Sequence, residues 1–190
     1  MHTPEALPPF PLLQTERLRL REIVPDDAPA LFAIHGDATY MRWFGSETPT
    51  SLDDARTLAL MFASWRRQPN PGTRWAIELR SEPGLIGTAG VFAWHRAWHK
   101  CLTGFEIAPA HAGQGLMREA LSAIFDWSFQ TMALHRIEAQ IHPDNRASRA
   151  LVERLGFREE GLLRESGFWA GAYHDLVHYG LLQREWTQAR

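Results

Sequence analysis

Two glycines lie where a strand pattern meets a strong helical pattern, and this junction could bind a phosphate group. Gly113 and Gly115 follow a strand pattern that ends at Ala108, and an apolar helical face begins at Leu116. Glycines at such a junction let backbone N–H groups converge without obstruction by Cβ atoms. The start of a helix adds unpaired N–H groups and the positive end of its dipole. Together these features predict an anion site suited to a diphosphate.

The common nucleotide-binding motifs do not match this junction. A P-loop needs a Lys-Ser/Thr pair after its last glycine, but Leu116 and Met117 follow Gly115. The dinucleotide fingerprint needs a third glycine where Arg118 stands. The alternative to a binding site is a simple glycine-containing turn between a strand and a helix.

A second polar pair lies at the start of the next predicted helix. Asn145 and Ser148 are three residues apart, so they share one helix face. Such a pair can contact a ligand. Asn145 can equally be a helix cap, and Ser148 an ordinary serine of the first turn.

Periodicity predicts the elements that must position these residues. Alternation and apolar runs predict seven strands, and apolar helical faces together with helix start and stop signals predict four helices. The strands are expected at Leu12–Ile23, Arg74–Leu79, Leu85–Trp94, Leu102–Ala108, Arg136–Ile141, Phe157–Ser166 and Tyr173–Leu182, and the helices at 25–34, 51–67, after Gly115, and at 145–155. Hairpin links between the early strands and helical links between the central ones predict a mixed α/β (α+β) fold. We expect one domain over residues 12–187, preceded by a proline-rich extended arm at 1–11.

Composition excludes several classes of function. The chain has 190 residues, 45% of them hydrophobic, and a formal net charge of −2, which gives no reason to expect binding to nucleic acid or to an anionic membrane. The single cysteine, Cys101, excludes an intrachain disulfide and a cysteine zinc cluster. His95 and His99 are four apart on strand and turn rather than on a helix, so we expect no metal site. With no signal-like N-terminus, the expected location is cytoplasmic.

Five motifs in order resemble the GNAT acetyltransferase superfamily, and within it the branch that acetylates N-terminal amines of ribosomal proteins. The motifs are Thr15-Glu-Arg-Leu-Arg-Leu20, Gly113-Gln-Gly-Leu-Met-Arg-Glu-Ala120, His135-Arg-Ile-Glu-Ala139, Asn145-Arg-Ala-Ser148 with Gly156-Phe157, and Glu160-Gly-Leu-Leu-Arg164. The ending from Tyr173 to Trp186 matches as well, so the resemblance covers nearly the whole chain. It implies the GNAT fold, a twisted, mostly antiparallel sheet of about seven strands flanked by about four helices.

The resemblance also implies a cosubstrate and the residues that hold it. Acetyl-CoA would bind with its diphosphate against the backbone of Gly113, Gln114, Gly115, Leu116, Met117 and Arg118. Its pantetheine arm would pair with the strand end at Ile107 and Ala108, where this strand parts from Arg136–Ile141 at a bulge. Asn145 and Ser148 would lie beside the arm and thiol. The acceptor would be framed by loop aromatics, namely Trp43, Phe44, Trp169 and Tyr173, each of which could equally belong to the peripheral core.

In this family a neutral amine attacks the thioester directly, so the site needs a route for the amine proton and a proton for the thiolate. An α-amine has a pKa of roughly 7.7–8.0 against about 10.4 for lysine, so it needs only a modest base. Many relatives carry a glutamate where this chain has Leu102. Glu106 is therefore the candidate base, with a solvated strand glutamate or a water chain as alternatives, and Ser148 is the candidate acid.

The acceptor stays open at this stage. An N-terminal α-amine of a protein or peptide is the preferred hypothesis. A small amine such as an antibiotic or polyamine is the second, and a polyamine site should be lined with carboxylates. The third is a non-catalytic module that only binds coenzyme A. A homodimer is compatible with each of them.

Overall fold

One eight-stranded sheet runs through the protein, which we describe from a computed structural model covering residues 7–188. The strand order is β1-β2-β3-β4-β5-β6-β8-β7, and every neighbouring pair is antiparallel except β5 and β6, which are parallel. The strands are β1 Leu13–Gln14, β2 Leu18–Glu22, β3 Thr73–Leu79, β4 Glu82–His95, β5 Lys100–Ile107, β6 Arg136–Ile141, β7 Arg158–Trp169 and β8 Ala172–Leu182. The mixed, mostly antiparallel sheet is as predicted.

The described residues form six α-helices. They are α1 Ala28–His35, α2 Ala38–Met41, α3 Leu52–Ser64, α4 Leu116–Thr131, α5 Arg146–Arg154 and α6 Gln183–Gln188. Four of them, α1, α3, α4 and α5, were predicted from the sequence, whereas α2 and α6 are too short to show a helical repeat. The cap predicted at Ser51 is present, because its side chain accepts a hydrogen bond from the N–H of Asp54.

The first predicted strand, Leu12–Ile23, is divided into β1 and β2. Thr15 ends the first strand, because its hydroxyl accepts the N–H of Leu18 at 3.0 Å and closes a turn. The two short strands then pair with each other. This turn carries the Thr-Glu-Arg-Leu motif.

Two apolar clusters cover the two faces of the sheet. The larger places α4 against the central strands, with Leu121, Ile124 and Phe125 fully buried. The smaller contains Leu31 of α1 and Ala59 of α3. The buried faces follow the 3.6-residue period seen in the sequence.

Residues 1–6 of the predicted arm lie outside the described residues. The adjoining segment packs on the domain, with the ring of Phe10 5.9 Å from that of Trp75. The Trp75 indole also donates a hydrogen bond of 2.6 Å to the carbonyl of Pro11.

The two parallel strands part soon after they meet. β5 and β6 pair only from Lys100 with Arg136 to Leu102 with Glu138. Beyond that point β5 continues beside β4 to Ile107, and β6 continues beside β8 to Ile141. The predicted separation of β5 from β6 is confirmed. The bulge predicted at that point is wrong, because the β5–β6 pairing has no register shift and the nearby shift lies between β4 and β5, at Phe92 to His95 of β4.

No helix within residues 7–188 is long and apolar enough to span a bilayer.

The packing of α4 predicts unequal effects of two leucine truncations. Leu121→Ala removes a fully buried side chain and should lower the free energy of unfolding by about 2–5 kcal/mol. Leu60→Ala, on α3, removes a side chain that is 57% exposed, and should change it by less than about 0.5 kcal/mol. Urea unfolding at equilibrium measures both, and equal destabilisation would contradict the burial pattern.

Candidate active site

A cleft of about 880 Å³ opens where β5 and β6 part. Its walls are the facing edges of these strands, the N-terminal ends of α4 and α5, and the segment Tyr40–Phe44. Where the two parallel strands separate, their facing backbone groups lose their partners. The N-termini of α4 and α5 face the same place. The cleft is therefore suited to an extended ligand with an anionic end.

The turn before α4 has the backbone that the two glycines predicted. Gly113 and Gly115 have φ values of 74° and 78°, a region that residues with a Cβ rarely adopt. Within the described residues, no hydrogen-bond acceptor meets the backbone N–H groups of 113–118. Leu116 and Met117 bury their side chains in the core, so only their backbone can serve the cleft. Such a row of free donors fits a diphosphate.

Three predicted cofactor residues have other contacts. Gln114 faces away from the cleft: its carbonyl accepts a hydrogen bond from Arg17, and its side-chain amide donates to the carbonyl of Ala110. The N–H of Ala108 donates to Ile86 at 2.7 Å, so the structure does not bring a free donor of Ala108 to the cleft. Ile107 lines the cleft, but its carbonyl accepts a hydrogen bond of 2.7 Å from the Tyr40 hydroxyl.

The start of α5 presents both polar residues that the sequence singled out. Asn145 caps the helix by accepting the N–H of Ser148 at 3.1 Å, and both residues line the cleft. Capping uses the amide oxygen, so the NH₂ group of Asn145 stays available. Within residues 7–188 the Ser148 hydroxyl has no hydrogen-bond partner, and it is free to donate to a ligand.

Glu106 lies at the floor of the cleft in a buried charge network, with only 4% of its side chain exposed. One carboxylate oxygen contacts the Arg74 guanidinium. The other accepts hydrogen bonds from the Thr88 hydroxyl and from Nε2 of His35, the latter at 3.0 Å. Arg74 in turn lies over the ring of Phe62, 4.4 Å from its centroid. Glu106 is thus neutralised by a fixed cation.

This pairing argues against Glu106 as the general base. Burial by itself raises the pKa of the Glu106 carboxyl, but the Arg74 charge and the hydrogen bonds from His35 and Thr88 outweigh it and hold the pKa below its ordinary value. A carboxylate with a lowered pKa binds a proton weakly and makes a poor base. From the sequence Glu106 was a strand glutamate without a visible partner, since Arg74 and His35 are far away along the chain.

The four predicted acceptor aromatics divide into two pairs. Trp43 and Phe44 line the cleft. Trp169 does not: it is buried, and its indole donates a hydrogen bond of 2.9 Å to the carbonyl of Arg42. Tyr173 is 68% exposed, away from the cleft, with its ring against Phe168.

A ladder of four rings joins the segment around Trp43 to the β7–β8 hairpin. Trp43 stacks on His142 at 3.9 Å, and Trp169 stacks on His174 at 3.8 Å. The two histidine rings are 5.4 Å apart. Burial is the main cause that lowers the pKa of His142, which favours the neutral, stacking form. No local pattern in the sequence indicates this ladder, because its rings come from three separate segments.

A family model matches three quarters of the chain. Residues 17–158 match the Acetyltransferase (GNAT) domain. The chain belongs to the GNAT acetyltransferase family. It is an N-acetyltransferase, and the predicted fold and superfamily are confirmed.

Similar proteins include enzymes with different acceptors. An uncharacterized N-acetyltransferase of Bacillus subtilis (strain 168), YoaA, is 34% identical over 174 residues, covering 92% of this chain and 98% of the relative. The ribosomal protein uS5-alanine N-acetyltransferase of Escherichia coli (strain K12) is 36% identical over 110 residues, or 57% of each chain. The structure of spermidine N-acetyltransferase from Vibrio cholerae in complex with CoA and spermine superposes with a TM-score of 0.77 at 25% identity, covering 91% of this chain and 99% of that one. Family membership supports coenzyme A or acetyl-CoA as the ligand of the cleft.

No group of three or more His, Cys, Asp or Glu side chains is arranged to hold a metal ion in the part of this GNAT acetyltransferase that the structure describes. Cys101 is buried in β5, and burial raises the pKa of its thiol. It is therefore a core residue rather than a nucleophile.

The charge network predicts the effect of removing the Glu106 carboxylate from this GNAT acetyltransferase. Glu106→Gln leaves the buried Arg74 guanidinium without a counter-charge, so the free energy of unfolding at pH 7 should fall by about 3–5 kcal/mol. Because the Glu106 pKa is lowered by folding, its ionisation stabilises the wild type above a pH of about 4.3, and this contribution is lost as the pH falls through the folded pKa. As the pH falls below the folded pKa of Glu106, the free energy of unfolding of the wild type should therefore approach that of the variant.

Urea unfolding at neutral and acidic pH measures this convergence. Glu82→Gln is the matched control, because Glu82 is exposed and should change stability by less than about 0.5 kcal/mol. A Glu106→Gln variant that is as stable as the wild type at pH 7 would show that Arg74 and Glu106 are not paired.

Proposed function

We propose that this GNAT acetyltransferase transfers the acetyl group of acetyl-CoA to the N-terminal α-amine of a protein or peptide. The observation that carries the proposal is the charge of the cleft. Two carboxylates line it, Glu106 and Asp144, against four arginines, namely Arg42, Arg118, Arg146 and Arg154. Glu106 is already neutralised by Arg74.

This charge balance is unfavourable for a polyamine. A ligand with several positive charges gains affinity from unpaired carboxylates and loses it beside arginines. Arg42 lies at the same part of the cleft as Trp43, over whose ring its guanidinium sits at 5.2 Å. A peptide brings one amine and a chain of carbonyl groups, which arginine and backbone donors can bind.

The comparisons support an amine acceptor and leave two candidates. The E. coli relative is named for alanine acetylation of a ribosomal protein. The V. cholerae structure holds spermine in an enzyme of similar fold. Because the coenzyme side is common to both, the charges near Trp43 decide our preference for the peptide: Arg42 is a cation, and Glu106 is already paired with Arg74. The single buried cysteine is consistent with a cytoplasmic location for this reaction.

The proposed place of the coenzyme follows from the free donors. The N–H groups of Gly113 and of residues 115–118 hold the diphosphate. Gln114 does not line the cleft and supports the turn instead, because its carbonyl accepts a hydrogen bond from Arg17 and its side-chain amide donates to the carbonyl of Ala110. The pantetheine arm lies between the facing edges of β5 and β6, near Ile107. Asn145 flanks the arm with its free NH₂ group.

Acetyl-CoA supplies an activated thioester, and the protein provides the groups and the water path for proton transfer. Ser148 is the group that protonates the leaving thiolate, since its hydroxyl lines the cleft and has no other partner among the described residues. The amine proton leaves through cleft water, because Glu106 is engaged with Arg74. An α-amine, with a pKa of roughly 7.7–8.0, is neutral often enough near pH 7 to react without a strong base. Trp43 and Phe44 form the apolar wall against which the acceptor packs.

The acceptor is tested with a panel of peptides, free lysine, aminoglycosides and spermidine, each supplied with acetyl-CoA. Mass spectrometry should find the acetyl group on the peptide α-amine. The rate should rise with pH and level off above roughly 7.7–8.0, as the neutral α-amine saturates. Spermidine, with its more basic amines, should be a much poorer acceptor.

Preferential acetylation of spermidine would overturn the peptide assignment while preserving the enzyme class. Binding of acetyl-CoA without transfer to any amine of the panel would remove the proposed activity altogether.

Loss of the Ser148 hydroxyl should slow the chemical step. We expect Ser148→Ala to lower kcat roughly 100-fold, as for loss of a general acid, with little change in the KM for acetyl-CoA. Ser166→Ala, an exposed serine of β7, is the control and should leave kcat unchanged. An unchanged kcat in the Ser148 variant would exclude it as the acid.

A further inference from the structure

The Thr-Glu-Arg-Leu motif lies against the back of the turn before α4, although the two are about a hundred residues apart in the chain. The Arg17 guanidinium donates from Nη1 to the carbonyl of Gln114 at 3.0 Å. Its Nε donates to a carboxylate oxygen of Glu119 at 2.7 Å. The planar fork of one arginine therefore joins the turn to the first part of the helix that follows.

We propose that Arg17 is a positioning residue that holds the Gln114–Gly115 peptide in the orientation required to bind the diphosphate of acetyl-CoA. This inference rests on the proposed coenzyme site at residues 113–118.

The geometry of a peptide unit connects the two sides of the turn. A trans peptide is planar, with its C=O and N–H groups on opposite sides. The carbonyl of Gln114 points toward Arg17, outside the cleft, so the N–H of Gly115 points the other way. Gly115 lines the cleft and Gln114 does not. Arg17 thus directs a donor into the cleft without entering it.

The turn needs such an external restraint because of its glycines. Gly113 and Gly115 have no Cβ, and both have positive φ. A glycine has little intrinsic preference among backbone conformations, so the peptide between them can rotate if nothing holds its carbonyl. The Gln114 side chain holds only the neighbouring backbone, through Ala110.

The arginine is itself held in place. Glu119 accepts the backbone N–H of Arg17 at 2.9 Å and the Thr15 hydroxyl at 2.5 Å. Arg80 holds the same loop by two hydrogen bonds. Its guanidinium donates to the carbonyl of Thr15 at 3.1 Å, and its backbone N–H donates to the carbonyl of Arg17 at 2.9 Å. Burial raises the pKa of the Glu119 carboxyl, but its hydrogen bonds with Thr15 and Arg17 outweigh this and lower it, so the carboxylate stays ionised. Its charge also offsets the unfavourable position of a cation at a helix N-terminus.

The test compares two acetyl donors in the variant Arg17→Met. Acetyl-CoA carries the diphosphate, whereas acetyl-pantetheine has the same thioester arm without it. We expect the KM for acetyl-CoA to rise about 10- to 100-fold, as for loss of a hydrogen bond to a charged group, with kcat nearly unchanged. The KM for acetyl-pantetheine should stay within about twofold of wild type, since that donor does not use the turn. Arg19→Met, an exposed arginine on β2, is the matched control and should alter neither value.

Arg17→Lys separates position from charge. Lysine keeps the positive charge but lacks the fork that reaches Gln114 and Glu119 together, so the KM for acetyl-CoA should again rise. A wild-type KM in this variant would overturn the proposal, because charge alone would suffice. If the methionine variant does not fold, the lysine variant decides the question by the same two donors.

Two other results are informative. An equal rise of KM for both donors would mean that Arg17 supports the fold only, and would overturn the positioning role. A wild-type protein that neither binds nor uses acetyl-CoA would instead remove the proposed function on which this inference rests.

Discussion

The separation of two parallel strands is the constraint on which the rest of the site depends. β5 and β6 share three residue pairs and then diverge, each keeping its other neighbour in the sheet. A sheet that opens in this way exposes backbone groups in its own interior, which is unfavourable unless a ligand or helix ends meet them. The N-termini of α4 and α5 lie beside the opening and add their own unpaired backbone N–H groups to it. The cleft is thus a property of the sheet itself, and the loops only complete it.

The buried charges at the floor of the cleft are paired, so the floor carries no net charge from Glu106. Glu106 would be a strong attraction for any cation if Arg74 did not neutralise it. The network with Thr88 and His35 fixes both partners, and the aromatic ring of Phe62 covers the guanidinium. The other charged residues that line the cleft are four arginines and Asp144, a balance that favours an anionic cosubstrate and disfavours a polycationic acceptor.

The two walls of the cleft are held from outside by segments distant in sequence. At the turn before α4, the loop before β2 contacts the turn through Arg17 and Glu119. At the opposite wall, the β7–β8 hairpin contacts the Tyr40–Phe44 segment through Trp169 and the ring ladder. In both cases a short segment is held by contacts with residues that are distant in sequence.

Local patterns in the sequence were sufficient for most of the framework. They include the apolar period of α4, the apolar runs of the central strands, the Ser51 cap and the two glycines at positive φ. Each depends on residues close together in the chain, where steric and hydrogen-bonding preferences are strong. Only tertiary structure could decide which way each side chain faces and what it meets. It paired Glu106 with Arg74, buried Trp169, turned Gln114 outward and brought Arg17 to it. These contacts join residues far apart in sequence, and their free energy depends on burial and geometry that no local pattern records.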